Sequence, residues 1–440
     1  MSASDSEPEV TTVVWVLGAG FSRALGAPLL CDLFCEKRWP RVRTCIELAN
    51  VSPDVVNRIK TLHVWFARCW VSSETFGTRV DKSLNETDYL PTEPVLDAEV
   101  FLERLALLAD YEAHDAGRKG PWPGATRAEL DALAKRISGG ALALQPIDSD
   151  PALGGESFRE YAAAARIYIA AAVNECVPEP AVVRSSERWR PYIAWALGLL
   201  RGSGTAETSR RAIKHQIISF NYDTVVEHAV ISDRNNQNGL DCKRGHEEFT
   251  LRLVDEENNK EFLLYKVHGS VASYEVQGPE GSIKRGSTPP ECWKLNLSNP
   301  LILCPGDKCR EQGALSGLWL DALGSLRCAA NHIIFVGYRF PPSDSGACLD
   351  MLGAIRENIT KRGTPGRLRT IRTVLGPDTA APDVRRMQAL LGHTLRRSGC
   401  SPTGEPGVFG RDAPVRLIAE PLYAEDFISV YSDAMLDDTY

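Results

Sequence analysis

Three polar residues stand where apolar runs end. Ile217 to Phe220 runs into Asn221-Tyr222-Asp223, and Phe262 to Val267 runs into His268-Gly269-Ser270. An asparagine offers both a donor and an acceptor, so Asn221 can hold a sugar hydroxyl or position a water molecule. A histidine can take a proton near neutral pH, and Gly269 beside His268 leaves room for a substrate. Asp223, an acceptor only when ionised, can orient Asn221 or accept from a hydroxyl. Together they could carry acid–base chemistry on a hydroxyl-bearing substrate without a metal ion. Asn and Asp behind a strand are also common turn and cap residues, and a lone strand-end histidine is often structural. The other histidines, such as His63, His114 and His246, have no comparable setting.

A second constellation lies near the start of the chain. Val13 to Pro28 reads VVWVLGAGFSRALGAP. Its first six residues are nearly all apolar and carry no charge, the pattern of a strand buried on both faces. Gly18-Ala19-Gly20 then allows a tight turn and a close approach of a ligand to the backbone. Ser22 can cap a following helix, whose first amides would point at an anion. A strand, a glycine turn and a helix start together suggest a dinucleotide pyrophosphate. The spacing departs from G-x-G-x-x-G, because Arg23 stands where the third glycine would be.

The elements that must position these residues follow from the pattern along the chain. Residues 1–12, acidic and polar, read as a disordered tail, and 13–35 as strand, glycine turn and helix. Residues 36–215 look mainly helical, with helical spacing in Ala98 to Asp110, Phe158 to Val177 and Tyr192 to Arg201, and with breaks near 114–128 and 138–157. From Gln216 strands alternate with helices. Strands are expected at 217–220, 249–254, 262–267, 301–304, 333–336, 371–375 and 415–418, with 249–254 and 262–267 forming a hairpin. Helices are expected at 224–231, capped by Thr224, and at 315–330, 348–359 and 383–391. This alternation predicts an α/β fold, a Rossmann-like, doubly wound, mainly parallel sheet with a large helical insertion after the first strand. In such sheets ligands sit at the carboxyl ends of the strands. Residues 13–440 would then be one nucleotide-binding domain, with 36–215 inserted.

Composition narrows the class. The chain has 440 residues, of which 43% are hydrophobic and 24% charged, and a net charge of −7. That is ordinary globular composition and does not favour a general nucleic-acid role. No apolar run is long enough to span a bilayer, and no apolar signal core opens the chain, so a cytoplasmic location is expected. The 12 cysteines include no C-x-x-C pair, so no metal site is expected. G-x-S-x-G and G-x-x-x-x-G-K-[ST] are both absent, which argues against a serine hydrolase and a P-loop nucleotidase.

Four segments in order carry a family resemblance. Gly18-Ala19-Gly20-Phe21-Ser22 with Gly26 and Pro28 resembles the first motif of the sirtuin superfamily. Ser219-Phe220-Asn221-Tyr222-Asp223 resembles the second, Val267-His268-Gly269-Ser270 that of the catalytic histidine, and Val336-Gly337-Tyr338-Arg339-Phe340-Pro341 the late glycine motif. The chain is most similar to the bacterial sirtuin-like branch that acts in defence against phage. Two departures from true sirtuins fit that branch. The zinc-binding C-x-x-C pairs are missing, and Leu29-Leu30-Cys31 follows Pro28 where sirtuins have Asp-Phe-Arg.

The resemblance implies an NAD+ glycohydrolase that releases nicotinamide and ADP-ribose and depletes NAD+ in abortive infection. It implies catalytic roles for Asn221, His268 and Asp223. NAD+, as substrate, would lie over Gly18, Ala19, Gly20, Phe21 and Ser22, beside Gly269, with Gly337 and Tyr338 at the adenosine half. Other readings that the residues leave open are a non-catalytic sensor of NAD+ or ADP-ribose, and an NAD-dependent ADP-ribosyl transferase or deacylase. An effector that depletes NAD+ must be kept off. A homo-oligomer is therefore expected, or a partner chain such as a ring-shaped ATPase or a nucleic-acid-guided protein.

Overall fold

The computed structural model describes residues 10–29, 33–34, 38–49, 51–71, 98, 101–102, 105, 109, 158–175, 178, 180–201, 212–232, 242–244, 250–255, 260–275, 283–285, 300–303, 315–341, 344–360, 368–410 and 414–436. The expected tail up to residue 9, the breaks near 114–128 and 138–157, and His114 and His246 lie outside these residues. The chain divides into two units, one of residues 1–26, 177–270 and 314–440, the other of 27–176 and 271–313.

In chain order, β1 (Val10–Leu17) is followed by helices α1 (Trp39–Leu48), α2 (Pro53–Val71), α3 (Phe158–Asn174), α4 (Pro180–Ser185) and α5 (Arg190–Arg201). Then come β2 (Ala212–Ser219), α6 (Val225–Ser232), β3 (Cys242–Arg244), β4 (Thr250–Asp255), β5 (Lys260–Lys266), β6 (Gly269–Glu275), β7 (Ile283–Arg285) and β8 (Pro300–Ile302). The chain continues through α7 (Ser316–Gly324), β9 (His332–Val336), α8 (Ser345–Thr360), β10 (Thr370–Val374) and α9 (Pro382–Arg397). It closes with β11 (Ser401–Pro402), β12 (Val408–Gly410), β13 (Val415–Glu420) and α10 (Ala424–Val430).

The first unit is built on a sheet of order β11-β12-β13-β10-β9-β1-β2-β5-β4-β3. Its central strands, β13 through β5 in that order, are parallel, and the strands outside them pair antiparallel. The chain runs outward from β1 through β2 to β5, then returns to the other side of β1 and runs through β9 and β10 to β13. This is the doubly wound order of a Rossmann-like fold, with its topological switch point between β1 and β9. The helices fall into two packed groups, α4, α5, α6 and α10 in one and α7, α8 and α9 in the other. Burial on both sides explains why Val13 to Leu17 and Ile333 to Val336 are fully buried apolar runs. The expected hairpin is present as β4 and β5, and the helix expected from 315 ends in a π-helical turn at Ser325–Ala329.

Four local expectations change. The first strand begins at Val10 rather than Val13, so Thr11 and Thr12 belong to the sheet and are buried. Among the described residues no α-helix directly follows the glycine turn. Two short 3-10 turns, Ala19–Phe21 and Arg23–Leu25, take its place, and Gly26 at φ +97° ends the second. Ser22 has the αR backbone rather than the extended one that a cap needs, and its side chain caps nothing. At α6 the Asp223 carboxylate, not the Thr224 hydroxyl, accepts a 3.1 Å bond from the Val225 amide.

The second unit holds α1, α2 and α3, with α3 packed against both of the others. The described residues of the expected helix at 98–110, namely Ala98, Phe101, Leu102, Leu105 and Ala109, are helical and buried at the spacing of one helix face. The strand expected at 301–304 is β8, and it lies not in the parallel sheet but in a small sheet of order β7-β6-β8. Among the described residues no helix is long and apolar enough to cross a membrane.

Candidate functional site at the carboxyl ends of the parallel strands

The register of the sheet aligns the predicted residues. Leu17 pairs with Ser219 and Val336, Ser219 with Lys266, and Val336 with Val374. Five parallel strands therefore end in one row. The ladder extends one residue further, because Gly18 donates to Val336 O, Phe220 to Leu17 O, Val267 to Ser219 O and Gly337 to Val374 O. Gly18, Asn221, His268 and Gly337 leave the sheet from that edge, all within the first unit.

The glycines have a packing role that requires no ligand. A Cβ on Gly18 would lie 2.6 Å from Tyr338 Cα, and one on Gly20 would lie 2.8 Å from Gly337 Cα. Gly337 sits at φ +66°, and a Cβ there would run into the backbone nitrogen of Phe21. The turns after β1 and β9 thus interlock backbone against backbone at the switch point. Gly20 N–H donates to Gly337 O at 3.2 Å. Within the first turn Ala19 and Gly20 keep part of their surface, while Gly18, Phe21 and Ser22 are buried. The ring of Phe21 packs on Tyr192 and Trp195, and its carbonyl accepts a 2.7 Å bond from the Tyr192 hydroxyl. Burial, with Glu425 and Asp223 nearby, pushes the Tyr192 phenol well up, so it stays a donor.

Asn221 is buried and fastens the first turn. Its Nδ2 donates to Gly18 O at 2.9 Å and to Ser22 Oγ at 3.3 Å. Both amide protons are therefore committed, and Oδ1 is the atom left to accept from a hydroxyl or water. Asp223 caps α6, and its backbone carbonyl accepts from Lys266 Nζ. Lys266 is fully buried, with Nζ 3.8 Å from Glu227 Oε1. The sequence reading missed it, since a lysine closing an apolar strand reads as a solvated strand end.

His268 is 5% exposed and enclosed by aromatic rings. Phe220 meets its ring edge-on at 4.9 Å and Tyr222 lies across it at 6.0 Å. Nε2 lies 3.5 Å from Oδ1 of Asp344, a buried residue just before α8. Oδ2 of the same carboxylate accepts a 3.1 Å bond from the Tyr338 hydroxyl. Tyr338 is itself buried and stacks on Phe220 at 4.1 Å. Asp344 also escaped the sequence reading, since it lies in a polar loop with no local signal. Gly269 takes φ +83° directly after His268.

The loop that carries Tyr338 is held from α9. Phe340 has φ +50°, a strained value for a bulky residue. Arg386 Nη2 donates to the carbonyls of Arg339 and Phe340, and Arg339 pairs with Asp383. Among the described residues no group of three His, Cys, Asp or Glu side chains could hold a metal ion.

No protein-family model matches this chain, and no curated protein matches it. The structure defines the class as a Rossmann-like α/β protein with an asparagine and a histidine brought to the carboxyl edge of its parallel strands.

Proposed function

We propose that this protein is an NAD+ glycohydrolase. One observation carries the reading: Asn221 and His268 leave the carboxyl ends of the adjacent strands β2 and β5, next to the glycine turn of β1 at the switch point of a Rossmann-ordered sheet. Such crevices suit dinucleotides. The likeness of the four strand-end segments to sirtuin motifs supports the same substrate.

In this reading the bond between C1′ of the ribose and N1 of nicotinamide breaks, and its electron pair leaves with N1. The ring nitrogen thereby loses its positive charge, so the leaving group needs no acid. Water adds to C1′ of the oxocarbenium-like ribosyl group, and its proton passes to His268. Asn221 Oδ1 accepts from the water or a ribose hydroxyl, and Asp223 steadies the loop by capping α6. Ala19 and Gly20, which keep part of their surface, are the part of the turn that meets the pyrophosphate.

The biological setting proposed with it, NAD+ depletion in antiphage defence, rests on the sirtuin-like resemblance. So does control by oligomerisation or by a partner chain. The test is nicotinamide release from NAD+ by the purified protein, followed by chromatography beside His268→Ala. Equimolar nicotinamide and ADP-ribose from the wild type alone is the expected result. Tight NAD+ binding without turnover, with candidate partners added, would replace the hydrolase with a sensor.

A further inference from the structure

We infer that Asp344 is the positioning residue of His268, with the Tyr338 hydroxyl holding the carboxylate in place. The inference rests on His268 being the acid–base group of the proposed reaction. Both carboxylate oxygens have a polar neighbour. Oδ1 faces His268 Nε2 at 3.5 Å and Oδ2 accepts from Tyr338 at 3.1 Å. Asp344 is 3% exposed and its amide is tied to Pro341 O, so water competes little for it and the carboxylate has little freedom to turn.

An imidazole has two tautomers, and the neighbour of one nitrogen selects between them. An ionised carboxylate accepts only. Facing Nε2, it holds the proton there and leaves the lone pair on Nδ1, which becomes the basic nitrogen. When Nδ1 takes a proton, the same carboxylate stabilises the imidazolium. Phe220, edge-on at 4.9 Å, and Tyr222, at 6.0 Å, flank the imidazole ring. Asparagine at 344 could turn its NH2 toward Nε2, selecting the opposite tautomer and protonating the working nitrogen.

The test reads the tautomer directly, without NAD+. The full chain is labelled with 15N-histidine, and the His268 signals among the 8 histidines are those lost in His268→Ala. Neutral His268 carrying its proton on Nε2 in the wild type, and losing that preference in Asp344→Asn, is the expected result. A proton on Nδ1 in the wild type, or an unchanged tautomer in Asp344→Asn, overturns the inference. Should Asp344→Asn fail to fold, the wild-type tautomer decides alone. In turnover, Asp344→Asn should lower kcat by about 10²-fold or more with KM little changed. The two proposals fail separately. An Nε2–H tautomer without NAD+ cleavage rejects the hydrolase, and cleavage with an Nδ1–H tautomer rejects the role of Asp344.

Discussion

The side-chain amide of Asn221 holds the carbonyl of Gly18 at 2.9 Å, across 203 residues of sequence. A second bond from the same amide reaches Ser22 Oγ. The residue that the chemistry singles out is therefore also a clamp on the turn that begins at the switch point, and its substitution has two effects.

Asn221→Ala should abolish nicotinamide release and also lower stability. It leaves the buried Gly18 carbonyl and Ser22 hydroxyl without their donor, at about 1–3 kcal/mol for each group. Thermal unfolding of the variant should shift down by several degrees, whereas His268→Ala should lose activity with a smaller shift. Equal melting temperatures for wild type and Asn221→Ala would contradict the clamp.

The interlocked glycines should be intolerant. Gly337→Ala places a Cβ against the Phe21 nitrogen at a φ of +66°. Gly18→Ala drives one into the Tyr338 backbone, and neither backbone can step aside cheaply. Soluble yield and melting temperature should fall sharply for both. Gly353→Ala, in α8 with open space around it, should instead stabilise by about 0.5–1 kcal/mol.

Tyr338→Phe keeps the ring stacked on Phe220 but removes the donor to Asp344. Its rate of NAD+ cleavage should fall by less than that of Asp344→Asn, because the carboxylate still faces His268. A larger loss for Tyr338→Phe in parallel kinetic assays would place the important contact at the tyrosine instead.

Lys266→Met should destabilise by about 1–3 kcal/mol, since the Asp223 carbonyl loses its buried donor. The change also leaves Glu227 without the cation 3.8 Å away. Hydrogen exchange should then quicken at the start of α6, and an unchanged rate there would argue against Lys266 as the tether of this loop.

Stability should fall as pH drops below about 6.5. Burial pushes His63 to about 3 and His215 and His228 to about 4. Asp433 draws His215 part of the way back, and the Thr224 carbonyl and Asp223 do so for His228. Between about pH 6.5 and pH 4 the unfolded chain takes up protons that the folded chain refuses. Stability is thus full above that window and is lost as pH falls through it. His63 lies among the rings of Phe34, Trp39 and Tyr168, with no hydrogen-bond partner for either nitrogen among the described residues. Melting temperatures measured from pH 7.5 to 5 should fall, and His63→Phe should flatten the slope.

Much of this architecture is written in local pattern. Uncharged runs such as Val13 to Leu17 and Ile333 to Val336 are buried on both faces, and burial of that kind leaves a signature in the residues themselves. Their alternation with helical spacing points to a doubly wound sheet, and the polar residues at their ends, Asn221 and His268, mark its carboxyl edge. What the glycines, Ser22, Lys266 and Asp344 do was decided by tertiary structure. Gly18 requires no side chain because Tyr338 arrives from the other side of the switch point, and Ser22 lies beneath Asn221 instead of starting a helix. Asp344 finds His268 only because strand register brings β5 and the loop after β9 to one edge. Such contacts depend on the alignment of strands far apart in the chain, and no local window of residues contains both partners.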